Sequence, residues 1–227
     1  MLTTVIFDLD DTLYGEIEYC RSGLKAVAEF IAGQPNMPGA ELLFNAFWKQ
    51  FSEGNRTRIF NTAFDSLAVP FTDDFISELV KVYRKHAPAI TLPTDSRNVL
   101  NKFKTRYTLA LLTDGFLPAQ QLKVKALGIE KYFKCIIYTE QLGREFWKPS
   151  PAGFEKIMAA LKTRPENMVY VADDEKKDFI APNKLGFLTV RVIRRAGIHT
   201  ELTGQADAAA KYVIRGISQL PDLLDKV

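Results

Sequence analysis

Val5-Ile6-Phe7-Asp8-Leu9-Asp10-Asp11-Thr12 is an apolar run that breaks off into three carboxylates and a threonine. A short apolar run ended in this way reads as a buried strand of a sheet covered on both faces. Side chains alternate across a strand, so Asp8 and Asp10, two residues apart, are expected on one side, converging on a single ligand. Two negative charges held that close repel each other unless a hard cation lies between them. Mg2+ suits such a place, since it prefers carboxylate and carbonyl oxygens and keeps positions for water or phosphate. Phosphate chemistry is the first expectation.

Outward from this stretch, similar short apolar runs recur after about residue 92, separated by helical patterns. That alternation predicts parallel βαβ units. Strands are expected at Thr3 to Asp8, Tyr107 to Thr113, Lys134 to Tyr138, Met168 to Asp173, Leu188 to Val192 and Tyr212 to Ile214. Helices are expected at Thr94 to Thr105, Leu117 to Leu127, Pro151 to Leu161, Lys176 to Leu185 and Asp222 to Val227, with Gly128 and Gly186 marking two of the ends.

The stretch from 15 to 92 is different. Leu24, Val27, Ala28 and Ile31, then Leu42, Leu43, Ala46, Phe47 and Phe51, follow helical spacing. Breaks at Gly33 to Gly39, Gly54 to Asn55 and Val69 to Asp73 divide it into roughly four helices. That is too much for one crossover. The expected organisation is an α/β core at 1–14 and 93–227 with a helical insertion at 15–92.

Composition narrows the function classes. With 227 residues, 47% apolar and 25% charged, the chain is long and apolar enough for a globular core. A formal charge of +3, with Lys and Arg dispersed, argues against nucleic acid or an anionic membrane and suits a small anionic substrate. Cys20 and Cys135 lie far apart without metal-type spacing, which fits a reducing cytoplasm. No apolar run approaches bilayer length and no basic leader precedes the first strand, so a soluble cytoplasmic protein is expected. No signal for an oligomeric state stands out.

In open α/β sheets ligands bind beyond the carboxyl ends of the strands, so chemistry is sought at each strand's exit. Thr113-Asp114-Gly115 brings a hydroxyl and freely turning amides suited to phosphoryl oxygens. Asp173 and Asp174 follow the fourth strand, with Asp178 close behind. In Trp147-Lys148-Pro149-Ser150-Pro151 a lysine is held by prolines on its C-terminal side.

Taken together, these elements resemble the four motifs of phosphatases in the haloacid dehalogenase (HAD) superfamily, in order at Asp8 to Thr12, Thr113 to Gly115, Lys148 and Asp173 to Asp178. The resemblance implies a doubly wound, Rossmann-like parallel sheet, and makes the helical insertion after the first motif a cap that favours small phosphorylated metabolites. It further implies Asp8 as the nucleophile that forms an aspartyl-phosphate. Asp10 would protonate the departing oxygen and then take a proton from water, which requires its proton affinity to be raised by neighbouring negative charge. Lys148 would screen Asp8 and the phosphoryl group, and Thr113 with the amides of Asp114 and Gly115 would hold phosphoryl oxygens. Mg2+ would rest on Asp8, the Asp10 backbone carbonyl and Asp173, with Asp178 as an outer partner.

Thr12 is expected to hydrogen-bond its own loop, and it joins Asp114, Gly115, Arg56 and Arg58 as a candidate for substrate binding. Arg56 and Arg58, in a loop with Gly54, could grip a carboxylate or second phosphate, or simply be solvated. Asp11 and Asp174 read as solvated or capping, and His86 and His199 as ordinary histidines. Two departures stand out: Asp114 replaces a common asparagine, and Ala172 a common glycine. Asp114 would repel phosphate if its carboxylate pointed inward, so only its amide is expected to face the site. The rival functions are a phosphosugar mutase on the same scaffold and a non-catalytic binding protein. Retention of Asp8, Asp10, Lys148 and Asp173 together weighs against the second.

Overall fold

Thr4, Val5, Ile6 and Phe7 are all buried and form β1 (Thr4–Phe7), a central strand of the sheet. In the computed structural model, which describes residues 1–194, 197–198 and 202–227, the remaining strands are β2 (Thr108–Thr113), β3 (Cys135–Tyr138), β4 (Met168–Ala172), β5 (Leu188–Val192) and β6 (Tyr212–Ile214). Among the described residues they make one six-stranded sheet in the order β3-β2-β1-β4-β5-β6, and every neighbouring pair is parallel. This is a doubly wound α/β fold. Its order reverses between β1 and β4, the place where such sheets open a crevice beyond their carboxyl ends. Phe7 is in register with Val171, and the Asp8 amide donates to the Val171 carbonyl at 2.9 Å. Asp8 and Asp173 therefore leave the sheet side by side at the switch point.

Both faces of the sheet are covered, as the continuous apolar strands require. On one face Ile6, Leu112, Tyr170 and Ala172 pack with Phe154, Ile157, Phe179 and Phe187. On the other, the Phe7 ring lies 6.5 Å from that of Phe103 on α5 (Thr94–Phe103). Each fully buried side chain of this size contributes roughly 1.5–3 kcal/mol, so the sheet is a rigid base for the loops above it.

The core also contains α6 (Ala119–Leu127), α7 (Ala152–Leu161), α8 (Ile180–Leu185) and α9 (Leu220–Leu224). α5 ends two residues before its expected limit and α6 starts two residues after it, and two other helices differ more. The segment from Lys176 does not start a helix, because the Asp178 carboxylate accepts the Asp174 amide at 3.0 Å and holds that stretch in turns until Ile180. The final helix begins at Leu220 rather than Asp222, since Pro221 is tolerated in a first turn where its missing N–H has no partner to lose.

By tertiary contact the chain separates into two units, Met1–Ile17 with Thr91–Val227, and Glu18–Ile90. The second is helical, built from α1 (Glu16–Ala32, which starts in the first unit), α2 (Ala40–Ser52), α3 (Ile59–Ser66) and α4 (Asp73–Lys85). Leu24, Val27, Ala28, Ile31, Leu43, Phe47 and Phe51 are buried as their spacing predicts, but Leu42 is 54% exposed on the outer side of α2. Thr72 caps α4 by accepting the Phe75 amide at 3.2 Å, and acidic Asp73 and Asp74 occupy its first turn. Gly23 permits a close approach, since a Cβ there would lie 2.5 Å from the Tyr83 ring. His86 bonds the Tyr83 carbonyl and the Ser22 hydroxyl, a packing role, while His199 lies outside the described residues. No described helix is long and apolar enough to cross a membrane.

Candidate active site

Lys148 Nζ lies 2.6 Å from Asp8 Oδ1, 2.7 Å from Asp178 Oδ1 and 3.1 Å from the Tyr170 hydroxyl. Tyr170 in turn donates to Asp178 Oδ1 at 3.2 Å. All four side chains are buried. Burial alone would lower the Lys148 ammonium, but Asp178 and Asp8 outweigh it and hold it well above its ordinary value. Asp8 is pushed up to about 7, chiefly by burial and further by Asp178, against the opposing pull of Lys148. For Asp178 burial acts upward, yet Lys148 and Lys177 prevail and keep it below the usual carboxylate range. Asp178 is therefore the fixed anion that anchors the lysine, and the phenol of Tyr170 sets its angle.

The loop carrying Lys148 is held from outside the prolines as well. Asp114 turns its carboxylate to Thr139, whose hydroxyl donates to Oδ1 at 2.7 Å, and to the Lys148 amide, which donates to Oδ2 at 3.1 Å. Gly115, at φ 137°, lies in the region that favours glycine, and a Cβ there would meet Gln120 at 2.8 Å.

Asp173 is buried beside this group. Its Oδ1 accepts the Thr12 hydroxyl at 3.2 Å, and Arg191 Nε donates to its backbone carbonyl at 2.9 Å. Thr12 is thus engaged with the fourth motif rather than turned toward a substrate. Oδ2 of Asp173 is enclosed and has no hydrogen-bond partner among the described residues. Burial, then the negative charge of Asp178, Asp8 and Asp11, raise this carboxyl to about 10. An uncommitted buried carboxylate oxygen next to a second carboxylate is costly unless a cation answers it. No group of three or more His, Cys, Asp or Glu side chains shaped for a metal occurs among the described residues. Asp8 and Asp173 instead offer a pair of carboxylates, the oxygen ligands that a hexacoordinate cation retaining water accepts.

Asp10 departs from the reading based on alternation. β1 ends at Phe7, and the loop then curls, with Leu13 bonding back to Leu9 and Asp11 at φ 51°. Strand periodicity no longer governs position 10. Lys123 Nζ donates to Oδ1 and Oδ2 at 2.8 and 2.9 Å, Gln120 Nε2 to Oδ2 at 2.8 Å, and the Tyr14 hydroxyl to Oδ1. A cation, an amide and a phenol thus meet at this carboxyl. Gln120 Nε2 also lies 2.7 Å from Thr113 Oγ1 and 2.8 Å from the Asp114 carbonyl, so one amide joins the first and second motifs.

Asp11 and Asp174 are buried, not solvated, and act on backbone amides: Asp11 accepts those of Glu16 and Ile198, Asp174 that of Lys176. Arg56 and Arg58 belong to the helical unit. Arg56 bonds the Phe51 carbonyl and lies 4.0 Å over the Phe51 ring, while the Arg58 backbone amide donates to Asn55 Oδ1 at 2.9 Å. The motifs read from the sequence do not include Tyr14, Gln120, Lys123 or Tyr170. Gln120 and Lys123 left a trace in the sequence, as polar residues on the same helical face as Ala119, Val124 and Leu127.

Residues 2–186 match the family model described as haloacid dehalogenase-like hydrolase. A glyceraldehyde 3-phosphate phosphatase of Methanopyrus kandleri is 28% identical over 202 residues, covering 86% of this chain and 85% of the relative. One from Methanocaldococcus jannaschii is 26% identical, covering 99% and 97%. Among solved structures, magnesium-bound YfnB of Bacillus subtilis superposes with a TM-score of 0.67 at 19% identity, covering 99% of each chain.

Proposed function

Because the chain belongs to the haloacid dehalogenase-like hydrolases, we propose that it hydrolyses phosphate monoesters of small metabolites, with Asp8 as nucleophile. The observation that carries this reading is Lys148 Nζ at 2.6 Å from Asp8, beside the uncommitted oxygen of Asp173. Asp8 is the carboxylate at the switch point of the sheet, and a fixed cation next to it can offset the charge of an arriving phosphoryl group.

The reaction has two displacements. An Asp8 oxygen bonds to phosphorus as the ester P–O bond breaks, and Asp10 gives its proton to the departing oxygen. Water then attacks the aspartyl-phosphate and gives its proton to Asp10, while the bond from Asp8 to phosphorus breaks and phosphate is released. Thr113 and the amides of Asp114 and Gly115 hold phosphoryl oxygens. Asp178 and Tyr170 keep Lys148 in place throughout. Asp8, Asp173 and the Asp10 backbone carbonyl would hold Mg2+, which would supply positive charge for the phosphoryl oxygens. YfnB, of the same fold, has magnesium bound.

Substrates are taken to be small phosphorylated metabolites, in line with the two relatives named as glyceraldehyde 3-phosphate phosphatases. Cys20 and Cys135 are both free thiols, in keeping with a reducing cytoplasm. The test is a phosphate-release screen over phosphorylated metabolites with and without Mg2+, with mass spectrometry of the products. Free phosphate from at least one ester, dependent on Mg2+ and lost in Asp8→Asn, is the expected result. Isomerised sugar phosphate without free phosphate would favour a mutase.

A further inference from the structure

α6 turns two polar side chains, Gln120 and Lys123, into the protein interior, and both end on Asp10. The Lys123 side chain is only 4% exposed, a costly burial for an ammonium unless its position has a use. Its charge is answered by Asp10 at 2.8 Å and by Glu16 at 3.7 Å. Together with Tyr14, these residues place donors on both oxygens of the Asp10 carboxyl. A single rotamer satisfies all of them, and any rotation gives up charge-assisted hydrogen bonds.

We infer that Lys123 and Gln120 are positioning residues that aim the Asp10 carboxyl at the leaving-group oxygen, and that Gln120 sets Asp10 and Thr113 in register within one phosphoryl site. This rests on the phosphatase reading above. Neither residue touches phosphate in this scheme. Both act through Asp10, so their contribution depends on how much the departing oxygen needs a proton. An alkoxide is a poor leaving group and needs one, whereas p-nitrophenolate leaves readily without it.

The experiment compares wild type, Lys123→Met, Lys123→Arg and Gln120→Leu on glycerol phosphate and on p-nitrophenyl phosphate. It reads kcat/KM, which reports transfer from the ester and not the shared hydrolysis of the aspartyl-phosphate. Lys123→Met is expected to lose about 10- to 100-fold on the alkyl ester and less than about 3-fold on the aryl ester, the scale expected for a misplaced catalytic group. Gln120→Leu should show the same bias more weakly, and Lys123→Arg should recover most of the alkyl activity. The inhibition constant for inorganic phosphate should stay within about twofold of wild type, because no phosphate contact is removed. A partly unfolded variant loses both substrates equally, so the ratio is insensitive to folding yield. Equal losses on the two esters, no loss, or weakened phosphate inhibition would overturn the inference while leaving the phosphatase reading intact. A wild type that releases phosphate from no ester in the screen would sink the reading and the inference with it.

Discussion

The carboxylate of Asp114 accepts the backbone N–H of Lys148 at 3.1 Å, across a gap of 34 residues in the chain. The residue that departs from the asparagine common at this position thus fastens the loop that carries the site's cation. An asparagine could preserve both contacts, accepting from Lys148 through its oxygen and donating to Thr139 through its nitrogen. Asp114→Asn is therefore expected to stay within about 3-fold of wild-type kcat, and Asp114→Ala to lose about 10- to 100-fold as Lys148 drifts. Steady-state kinetics on the best substrate of the screen decide it. Equal losses in the two variants would show that charge, not anchoring, is what Asp114 contributes.

Metal-free protein should lose stability as pH rises. Asp8 and Asp173 have folded-state values pushed up from 3.8 to about 7 and about 10, so between those limits the native state holds more protons than the unfolded state. The favourable contribution is complete below the unfolded value and is lost as pH climbs through the folded ones. Thermal melting in a chelator should show the midpoint falling from pH 5 toward pH 9, and Mg2+ should reduce the fall by answering both carboxylates. A metal-free midpoint that rises over this range contradicts the crowding of negative charge.

Asp173→Asn should trade function for stability. At pH 8 burial, Asp178 and Asp8 force this carboxyl to take up a proton on folding, and an amide removes that cost, so the metal-free melting temperature should rise. The same variant should lose the stabilisation that Mg2+ gives wild type, since a ligand is weakened. Calorimetry with and without Mg2+ tests both signs together.

Tyr170→Phe removes a buried hydroxyl that accepts from Lys148 at 3.1 Å and donates to Asp178 at 3.2 Å. Its ring packing, edge-on to Phe154 at 4.8 Å, is retained. The expected cost is about 1–2 kcal/mol of stability, read from the denaturant midpoint. Activity should fall modestly, because the ion pairs to Asp8 and Asp178 survive.

Elements and chemistry were legible to different degrees. The β4 and β5 runs are apolar with little interruption, and their strands formed within a residue of the expected limits. At position 10 a strand rule does not apply, because the strand ends at Phe7 and the loop alone sets where Asp10 lies. Lys123 could not be tied to Asp10 from the chain alone, for the two are 113 residues apart.

What the sequence by itself determined is the parallel sheet and the residues that leave its strands, because apolar period, strand length and turn residues act over a few neighbours. Only the tertiary structure decided that Asp178 and Tyr170 brace Lys148, that Asp114 turns away to its loop, and that Lys123 and Gln120 surround Asp10. Those pairings depend on which distant strand exits and helix faces the sheet order brings together. Burial then requires each charge to find a partner there, and no local pattern records which one.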